Sequence, residues 1–408
     1  KLFFRLELAK RSPLASHTKA MRWATAIMVR KSVSQKRKPL QPMWPLLLRN
    51  AWRTANVIIN RYLGRPPRYC PVMLLFLTGR CNLRCRICGV CDLEHGYNDE
   101  EELSTEQWKG VISAAAEKLG TTLAVVSGGE ALLREDVFEI IHYAESKGIS
   151  VHLCTNALLL NEDKMERLRD SGVSTVSFSL DGPEAFIHDD IRGEGNFDKT
   201  VSAIRKFHTI APEIHMGINF VITKQNYRRM IEMLHFAESL GAGQIKFAPL
   251  HTNLLHRNKD FSGCDNLVFH SEDLPDLERE VRRTVRECHK SRLITTSAAF
   301  FDGIVDLYKQ PRHIRCYAGY AVCAVNPAGY VAPCNDIDSP FSVKDYSIDA
   351  IWHDPGFHKI RKQVHACQSP CWDTAYTELS LWLRPTRLLV SVVRNVRDIK
   401  FYFGRRKE

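Results

Sequence analysis

The strongest constraint on the fold is a repeated pairing of a short apolar segment with a longer helical one between residues 70 and 250. The six short segments are rich in β-branched residues, and they are VMLLFL (72–77), TLAVVS (122–127), SVHLCT (150–155), STVSFSL (174–180), IHMGINFVIT (214–223) and GQIKFAPL (243–250). Near-continuous apolar strands that alternate with helices are typical of a parallel sheet buried on both faces. The pattern predicts a partial or complete β/α barrel or an open doubly wound sheet, with its chemistry at the carboxyl ends of the strands.

The segments between these strands carry clear helix signals. Ser104 and Gln107 form a capping-box pattern before WKGVISAAAEKLG, which predicts a helix start. Two later helical stretches end at Gly148 and Gly241, as is common where the chain leaves a helix in the left-handed conformation.

Length and charge limit the classes that remain. The chain has 408 residues, 44% of them apolar, which suffices for one large core and a small second domain. Its net charge of +11 is concentrated at the ends. Residues 1–38 hold eleven Lys and Arg against one Glu, and residues 381–408 hold eight against two acids. The basic isoelectric point therefore says little about a site in the middle of the chain.

Both ends interleave Lys and Arg with large apolar residues, as in MRWATAIMVRKSVSQKRK and LLVSVVRNVRDIKFYFGRRKE. Such basic amphipathic stretches favour an anionic membrane surface. The alternative is a basic tail and a helix packed on its own domain. No apolar run is long enough for a spanning helix, and no nucleic-acid motif is present, so nucleic acid is an unlikely partner.

A second feature is the density of cysteines in GRCNLRCRICGVC, which holds Cys81, Cys85, Cys88 and Cys91. Disulfides, zinc, an iron–sulfur cluster and a nucleophilic thiol are the candidate uses. The chain has 13 cysteines and shows no signal peptide, which favours metal-binding thiolates in a reducing cytoplasm. Structural zinc usually needs paired C-x2-C units. Three thiolates on a four-iron cube would leave one iron open to a small molecule, with Cys91 a bystander.

The cysteine spacing and three later segments together resemble the radical S-adenosylmethionine (SAM) superfamily. CNLRCRIC looks like the signature of that family. The segments that follow successive strands resemble further family motifs in the family's order, and they are SGGE (127–130), CTNALLL (154–160) and SFSLDGPEAFIHDDIRGEGNFDKT (177–200).

This resemblance implies a site and a reaction. Cys81, Cys85 and Cys88 would bind a [4Fe–4S] cluster, whose open iron would chelate SAM. The resemblance also implies that the cofactor-binding positions are Gly128, Gly129, Glu130, Asn156, Ser179 and Arg192. The glycines would allow close backbone approach, Glu130 would accept a hydrogen bond from the SAM amine, Ser179 would bond the ribose, and Arg192 would suit the carboxylate. Reductive cleavage of SAM would then give a 5′-deoxyadenosyl radical that abstracts hydrogen from a substrate.

Three positions depart from the family pattern. Ala131 stands where proline often follows GGE, Ile87 stands where an aromatic often precedes the third cysteine, and Ala157 replaces the glycine of TNG. None of the three removes a side-chain ligand.

A second cysteine group lies in the C-terminal third. NPAGYVAPC reads as a β-hairpin, and the group resembles the SPASM or twitch extensions that bind auxiliary iron–sulfur clusters. The simplest prediction is one auxiliary [4Fe–4S] cluster bound by Cys316, Cys334, Cys367 and Cys371. Cys323 is a spare cysteine that could replace one of these ligands. The alternative is a small zinc site or buried free thiols.

The predicted organisation is an α/β chain with a partial (β/α)6 TIM-like radical SAM barrel. A basic extension (1–69) precedes the barrel (70–310), and a small cysteine-rich SPASM-like or twitch-like domain (311–375) and a basic tail (376–408) follow it. The amphipathic ends favour a lipid, sugar or other metabolite at the membrane as substrate, with a peptide or protein as the alternative. A flavodoxin-type or ferredoxin-type protein would donate low-potential electrons. The expected location is the cytoplasm, peripherally on the inner face of the membrane. A non-catalytic metal-binding membrane adaptor is the rival of another class.

Overall fold

The computed structural model describes residues 44–90, 102–252, 261, 263–310, 313–369, 371–384 and 401–402, with only the main chain for residues 44–51. The chain divides into two compact units, Lys1–Trp52 and Arg53–Glu408. All that follows concerns the second unit, together with the bounds of helix α1, which begins in the first.

The described residues of the second unit form one sheet of nine strands in the order β7-β6-β5-β4-β3-β2-β1-β8-β9. Every neighbouring pair is parallel except β8 and β9. The strands are β1 (Val72–Phe76), β2 (Leu123–Ser127), β3 (Ser150–Thr155), β4 (Thr175–Ser179), β5 (His215–Ile222), β6 (Gln244–Pro249), β7 (Ile294–Thr295), β8 (Val322–Val325) and β9 (Val331–Ala332). The six predicted strands are confirmed, as is the β8–β9 hairpin.

Helices connect most of the parallel strands. They are α1 (Trp44–Leu63), α2 (Thr105–Glu117), α3 (Val137–Ser146), α4 (Glu162–Ser171), α5 (Ala185–Arg192), α6 (Asn196–Ile210), α7 (Met230–Ser239), α8 (Leu274–Lys290), α9 (Ala298–Ile304), α10 (Asp306–Lys309), α11 (Ile348–His353), α12 (Pro355–Ala366) and α13 (Leu379–Trp382). The predicted capping box of Ser104 and Gln107 is present at the start of α2. Gly148 and Gly241 both have positive φ just after helices α3 and α7, as predicted.

The outer face of the sheet, which the helices cover, is mainly apolar, with Thr155 and Thr295 as polar residues at strand ends. Phe178 on β4 packs edge-on against Phe207 on α6, with ring centroids 5.5 Å apart. Phe220 on β5 and Phe247 on β6 form a similar pair on the same face. This face and its helices form one continuous core, which supplies most of the apolar burial that stabilises the fold.

The inner face, which points away from the helices, has two different sectors. On β1, on β8 and on β2 up to Val125 it is apolar: Leu74 packs in one cluster with Ala318, Val322, Val364 and Tyr376 from the C-terminal third of the chain. On β3 to β6 most inward positions carry polar side chains, which are Ser150, His152, Cys154, Thr175, Ser177, Ser179, His215, Asn219, Gln244 and Lys246. The interpretation of these four strands as near-continuous apolar runs is therefore wrong on the inner face, although much of that face is buried, as predicted.

The amino ends of the polar strands are closed by Phe401 and Tyr402. The Ser150 hydroxyl donates to the Tyr402 carbonyl at 2.7 Å, and the Tyr402 hydroxyl donates to Gln244 Oε1 at 3.2 Å. Phe401 is 2% exposed. A Cβ at Gly217 or Gly243 would lie 3.4 or 3.3 Å from its ring, so the two glycines make room for that ring.

Candidate cluster and cofactor site

The loop that carries Cys81, Cys85 and Cys88 leaves the carboxyl end of β1 and is held at two points. At its start, Glu102 accepts hydrogen bonds from the Thr78 hydroxyl and from the Gly79 amide, the latter at 3.2 Å. In its middle, the Arg86 amide donates to the Ile191 carbonyl at 2.9 Å, and the Arg86 guanidinium pairs with Asp190 at 2.5 Å. The loop is thus fixed against the β2 side and against α5.

The sulfur atoms of this loop face hydrogen-bond donors. The Leu83 amide donates to Cys81 Sγ at 3.4 Å, and Asn156 Nδ2 lies 4.0 Å from the same sulfur. Arg192 Nη1 lies 3.8 Å from Cys85 Sγ. Donors of this kind stabilise thiolates and tune the potential of iron–sulfur clusters. None of the twelve cysteines in the described part of the chain forms a disulfide.

The described side chains contain no group of three or more His, Cys, Asp or Glu that would enclose a single metal ion. In a four-iron cube each cysteine binds a different iron, so its ligands stand around the cube and do not converge on one point. Three cysteines spread along one loop, with donors facing two of their sulfurs, fit cluster ligation of that kind.

The GGE segment braces the cysteine loop directly. The Gly129 amide donates to the Thr78 carbonyl and the Glu130 amide to the Arg80 carbonyl, both at 2.8 Å. A Cβ on Gly128 would lie 2.3 Å from the Thr78 oxygen, and one on Gly129 would lie 2.0 Å from the Arg80 oxygen. The close backbone approach predicted for these glycines is present, and the backbone that they approach is that of the cysteine loop.

Glu130 is 1% exposed and joins the loops that follow β2 and β3. Its Oε1 accepts from the Thr155 hydroxyl at 2.9 Å and from the Leu132 amide at 3.2 Å, and its Oε2 accepts from the Asn156 amide at 2.8 Å. Burial raises the pKa of Glu130, and these hydrogen bonds reduce that rise. A carboxylate offers about four acceptor positions, so three are used within the protein.

Arg192 lies between Cys85 and a buried acid. Its Nε donates to Asp181 Oδ2 at 2.6 Å, while Asp181 Oδ1 accepts the Val221 amide at 2.8 Å. Burial lowers the pKa of Arg192, but the negative charge of Asp181 raises it by more, so the pKa lies above its ordinary value. The sequence suggested Arg192, and the structure adds Asp181 as the group that positions it.

Ser179 stands in a polar row that sequence reasoning missed. It pairs in register with Asn219 on β5, which pairs with Lys246 on β6. Asn219 Nδ2 also lies 3.7 Å from Cys154 Sγ on β3. Burial lowers the pKa of Lys246, but Tyr402 and Cys154 raise it by more, so Lys246 is a cation on the inner face. Strict alternation on β4 to β6 was the signal that could have revealed this row.

The four predicted auxiliary ligands lie close to one another. The thiols of Cys316 and Cys334 interact electrostatically with Cys367, and those of Cys334 and Cys371 interact with Cys316. The Ala318 amide donates to Cys316 Sγ at 3.4 Å. The amides two residues after Cys334 and Cys371 bond those sulfurs in the same way. Burial raises the pKa of all three thiols, so thiolates there need positive charge such as that of irons.

Cys323 does not lie with this set. It faces the outer side of β8, is fully buried, and its sulfur lies 3.6 Å from that of Cys70. The alternative in which Cys323 replaces a cluster ligand is therefore wrong on geometric grounds. Cys91, the expected bystander, lies outside the described residues.

The segment around Cys371 is attached to the barrel. The Trp372 amide donates to His251 Nε2 at 3.1 Å, and its indole donates to the Phe300 carbonyl at 2.7 Å. Glu378 accepts from the Ser297 amide and hydroxyl at 3.0 and 2.9 Å. These contacts fix the second cysteine group to the carboxyl side of β6 and to the start of α9.

Comparison with known proteins agrees with this geometry. Residues 75–237 match the family model described as the radical SAM superfamily, and residues 316–373 match the one described as an iron–sulfur cluster-binding domain, SPASM. The PqqA peptide cyclase of Gluconobacter oxydans is 30% identical over 300 residues, which cover 71% of this chain and 78% of that protein. The PqqA peptide cyclase of Rhodopseudomonas palustris is 27% identical, over 75% of this chain and 80% of that protein.

Two further likenesses are informative. An AdoMet-dependent heme synthase of Oleidesulfovibrio alaskensis is 25% identical over 75% of this chain and 80% of that protein. The structure of Streptococcus suis SuiB bound to S-adenosylmethionine superposes with a TM-score of 0.59 at 17% identity, covering 86% of this chain and 78% of that one. The likeness to SuiB is one of fold.

A radical SAM domain and a SPASM domain imply a [4Fe–4S] cluster, SAM and auxiliary iron–sulfur clusters. The chain belongs to the radical SAM superfamily, in its SPASM-containing branch, and it is an enzyme.

Proposed function

We propose that this enzyme modifies a peptide or protein. The observation that carries the proposal is the match to PqqA peptide cyclases over 71–75% of this chain. SuiB, whose fold this chain shares, has also been solved bound to the precursor peptide SuiA. The sequence-based preference for a lipid, sugar or other metabolite at the membrane has less support than its peptide alternative.

In this proposal Cys81, Cys85 and Cys88 hold the first [4Fe–4S] cluster, and Cys316, Cys334, Cys367 and Cys371 hold an auxiliary one. When bound, the first cluster and SAM supply a radical that removes a hydrogen atom from the substrate. The remaining acceptor position of Glu130 suits the SAM amine. Arg192, held by Asp181, suits the SAM carboxylate, and Ser179 suits the ribose hydroxyls.

The polar row on the inner face would contact what lies inside the barrel. Ser179, Asn219 and Lys246 present a hydroxyl, an amide and a cation from three adjacent strands. Rigid strands place such groups more precisely than loops do. We assign to this row the task of orienting a molecule bound inside the barrel, with Lys246 directed at an acidic or carbonyl group of that molecule.

The membrane expectation rests mainly on residues outside the described part of the chain, namely most of 1–69 and 376–408. Within the described residues, no helix is both long and apolar enough to cross a bilayer. Peripheral membrane association, and reduction by a flavodoxin or ferredoxin, remain predictions.

The test begins with anaerobic reconstitution and measurement of iron, sulfide and 5′-deoxyadenosine. We expect two cubes per chain and SAM cleavage with dithionite. Cys85→Ala should remove one cube and all cleavage, because the radical forms at that site. Cys334→Ala should remove the other cube but keep cleavage without substrate, which separates the two sites.

The substrate class needs its own experiment. Short peptides encoded beside the gene would be incubated with enzyme, SAM and reductant, and analysed by mass spectrometry. We expect one peptide to raise 5′-deoxyadenosine formation and to lose hydrogen mass. If a membrane lipid extract stimulates turnover and no peptide does, the peptide proposal is wrong while the radical chemistry stands.

A further inference from the structure

A surface beside the second cysteine group combines exposed apolar side chains with cations. Ile59, Tyr62 and Leu63 at the end of α1 are 51%, 49% and 57% exposed. Arg315 stacks over the Tyr62 ring, with its guanidinium carbon 3.7 Å from the ring centre. We call Ile59, Tyr62, Leu63, Arg65, Arg315 and Lys362 the basic patch, and Arg65, Arg315 and Lys362 are all exposed.

The segments that build the basic patch contain no acid. Residues 53–70, 307–318 and 355–372 include no Asp or Glu. Arg61 joins all three, because it contacts the ring of His365 and the carbonyl of Cys316. Positive charge therefore accumulates here without the compensating acids that surround most cations on α3 to α8.

The basic patch adjoins the proposed auxiliary ligands. Arg315 directly precedes Cys316 in sequence, and Arg61 Nε donates to the Cys316 carbonyl at 2.6 Å. His365 lies two residues before Cys367, which is the exposed member of the four cysteines. The protein surface nearest this cysteine group is thus positive and partly apolar.

We propose that the basic patch is the docking surface for an acidic one-electron carrier protein that reduces the auxiliary cluster. The proposal rests on the proposed auxiliary cluster. In the step, the reduced carrier loses one electron and the oxidised cluster gains one, with no bond made or broken. Small, weak interfaces steered by opposite charge are typical of such electron-transfer pairs. The exposed Tyr62 and Leu63 would supply the apolar centre of the contact.

An anionic membrane surface would also recognise cations and apolar residues. The position of the basic patch favours a redox partner, because it borders Cys316 and the exposed Cys367 and because electron transfer requires a short path. A membrane role would need no particular relation to these cysteines.

The experiment uses full-length protein in which Cys81, Cys85 and Cys88 are changed to Ala, so that only the auxiliary cluster contributes to the absorbance change. The probe is a reduced, acidic two-iron ferredoxin, and stopped-flow absorbance follows cluster reduction. Titanium(III) citrate serves as a small reductant that needs no docking. The test variant is Arg65→Glu/Arg315→Glu/Lys362→Glu. The matched control, Lys199→Glu/Arg205→Glu/Lys206→Glu, makes the same charge change on exposed positions of α6.

We expect the patch variant to slow reduction by ferredoxin at least about ten-fold at low salt, with the difference fading at high salt. The α6 control should react like the parent, and titanium citrate should reduce all three proteins equally. The proposal is overturned if the patch variant reacts at the parent rate, or if both triple variants slow equally.

Vesicles containing phosphatidylglycerol provide the competing test. If the patch variant loses vesicle flotation yet keeps its rate with ferredoxin, the surface is a lipid surface and the proposal is wrong. If titanium citrate produces no absorbance change in any of these proteins, the auxiliary cluster itself is absent. That result would reject the auxiliary cluster of the proposed function, and the docking role with it.

Discussion

The two sectors of the inner face differ in chemistry although they belong to one sheet. On β1 and β8, inward residues such as Leu74 and Ala324 are apolar and packed under the C-terminal third. On β3 to β6, most inward positions are Ser, Thr, His, Cys, Asn, Gln and Lys. One sector is covered by the chain itself, and the other presents hydrogen-bonding groups.

This difference assigns a task to each sector. Apolar area removed from water stabilises the contact that holds the second cysteine group on the sheet. Polar groups inside a protein cost free energy unless they find partners, so proteins keep them where ligands or internal networks use them. The boundary between the sectors runs between β2 and β3, next to the GGE and Asn156 loops.

The largest expected effect would come from placing a polar group in the apolar sector. Leu74→Asn should lower the free energy of unfolding by about 4 to 5 kcal/mol, since it removes buried packing and buries an amide without partners. Urea unfolding measures the change. The control is Ser177→Ala in the polar sector, whose buried hydroxyl has no hydrogen-bond partner among the described residues, so its removal should not lower stability. Similar losses in both variants would contradict the distinction.

The second effect concerns the apolar closure of the polar sector. Phe401→Ala should cost about 3 to 4 kcal/mol of unfolding free energy, as for other buried phenylalanines. Tryptophan fluorescence during urea unfolding would follow it. Phe186→Ala, at a 67% exposed phenylalanine, is the matched control and should be nearly neutral. A neutral Phe401→Ala would show that the base of the sector is not closed in solution.

The third effect is a pH dependence from the polar sector. Burial, and then the charge of Lys246, lower the pKa of His152 well below 6.5. Below about pH 6.5 the unfolded chain therefore binds a proton that the folded chain does not, and stability falls as pH falls. At pH 5 the loss from this group should approach about 2 kcal/mol.

Comparing the parent with His152→Gln at pH 7.5 and pH 5 isolates that contribution. The variant lacks the titrating ring, so its stability should decline less on acidification. An equal decline in both proteins would show that His152 does not control the pH response.

The smallest effect concerns the loop at the sector boundary. Ala157 has φ of 70°, a left-handed conformation that costs a non-glycine residue roughly 1 to 2 kcal/mol. Ala157→Gly should raise the melting temperature slightly, with a gain below about 1 kcal/mol because glycine also loses more entropy on folding. A matched change to glycine at Ala114, within α2, should lower it, because alanine is favoured over glycine in a helix. A fall in melting temperature with Ala157→Gly would contradict the strain.

Much of the fold could be predicted from the sequence because strand and helix signals are local. The β-branched runs, the Ser104 capping box and the glycines after α3 and α7 each act within a few residues. The inner-face chemistry was missed since Ser, Thr and Cys are tolerated in strands, so runs such as SVHLCT read as apolar. Closure by Phe401 and Tyr402 depends on contacts across 158 and 252 positions of sequence, which no local pattern contains.

The candidate site shows the same division. Motifs named the cysteines, Glu130 and Arg192, because their spacing lies within one loop or one turn. The segment around Ser179 also contained Asp181, but its ion pair with Arg192 required the path of the chain from β4 through α5. The pairing of the GGE backbone with Thr78 and Arg80 required the strand order. Cys323 was considered as a spare cluster ligand from its spacing alone. The register of β8 with β1 places its side chain on the outer face of the sheet, away from the other cysteines of the second group.

The closure of the sheet by Phe401 and Tyr402 has a consequence during synthesis. At about 5 to 20 residues per second, the ribosome needs roughly 8 to 30 s to make the 158 positions that separate Gln244 from Tyr402. For that time the amino ends of the nascent strands β3 to β6 lack the cover of Phe401 and Tyr402. Because serine, threonine, histidine and lysine line most of the inner face, less apolar surface is exposed to water in that interval than an apolar face would expose.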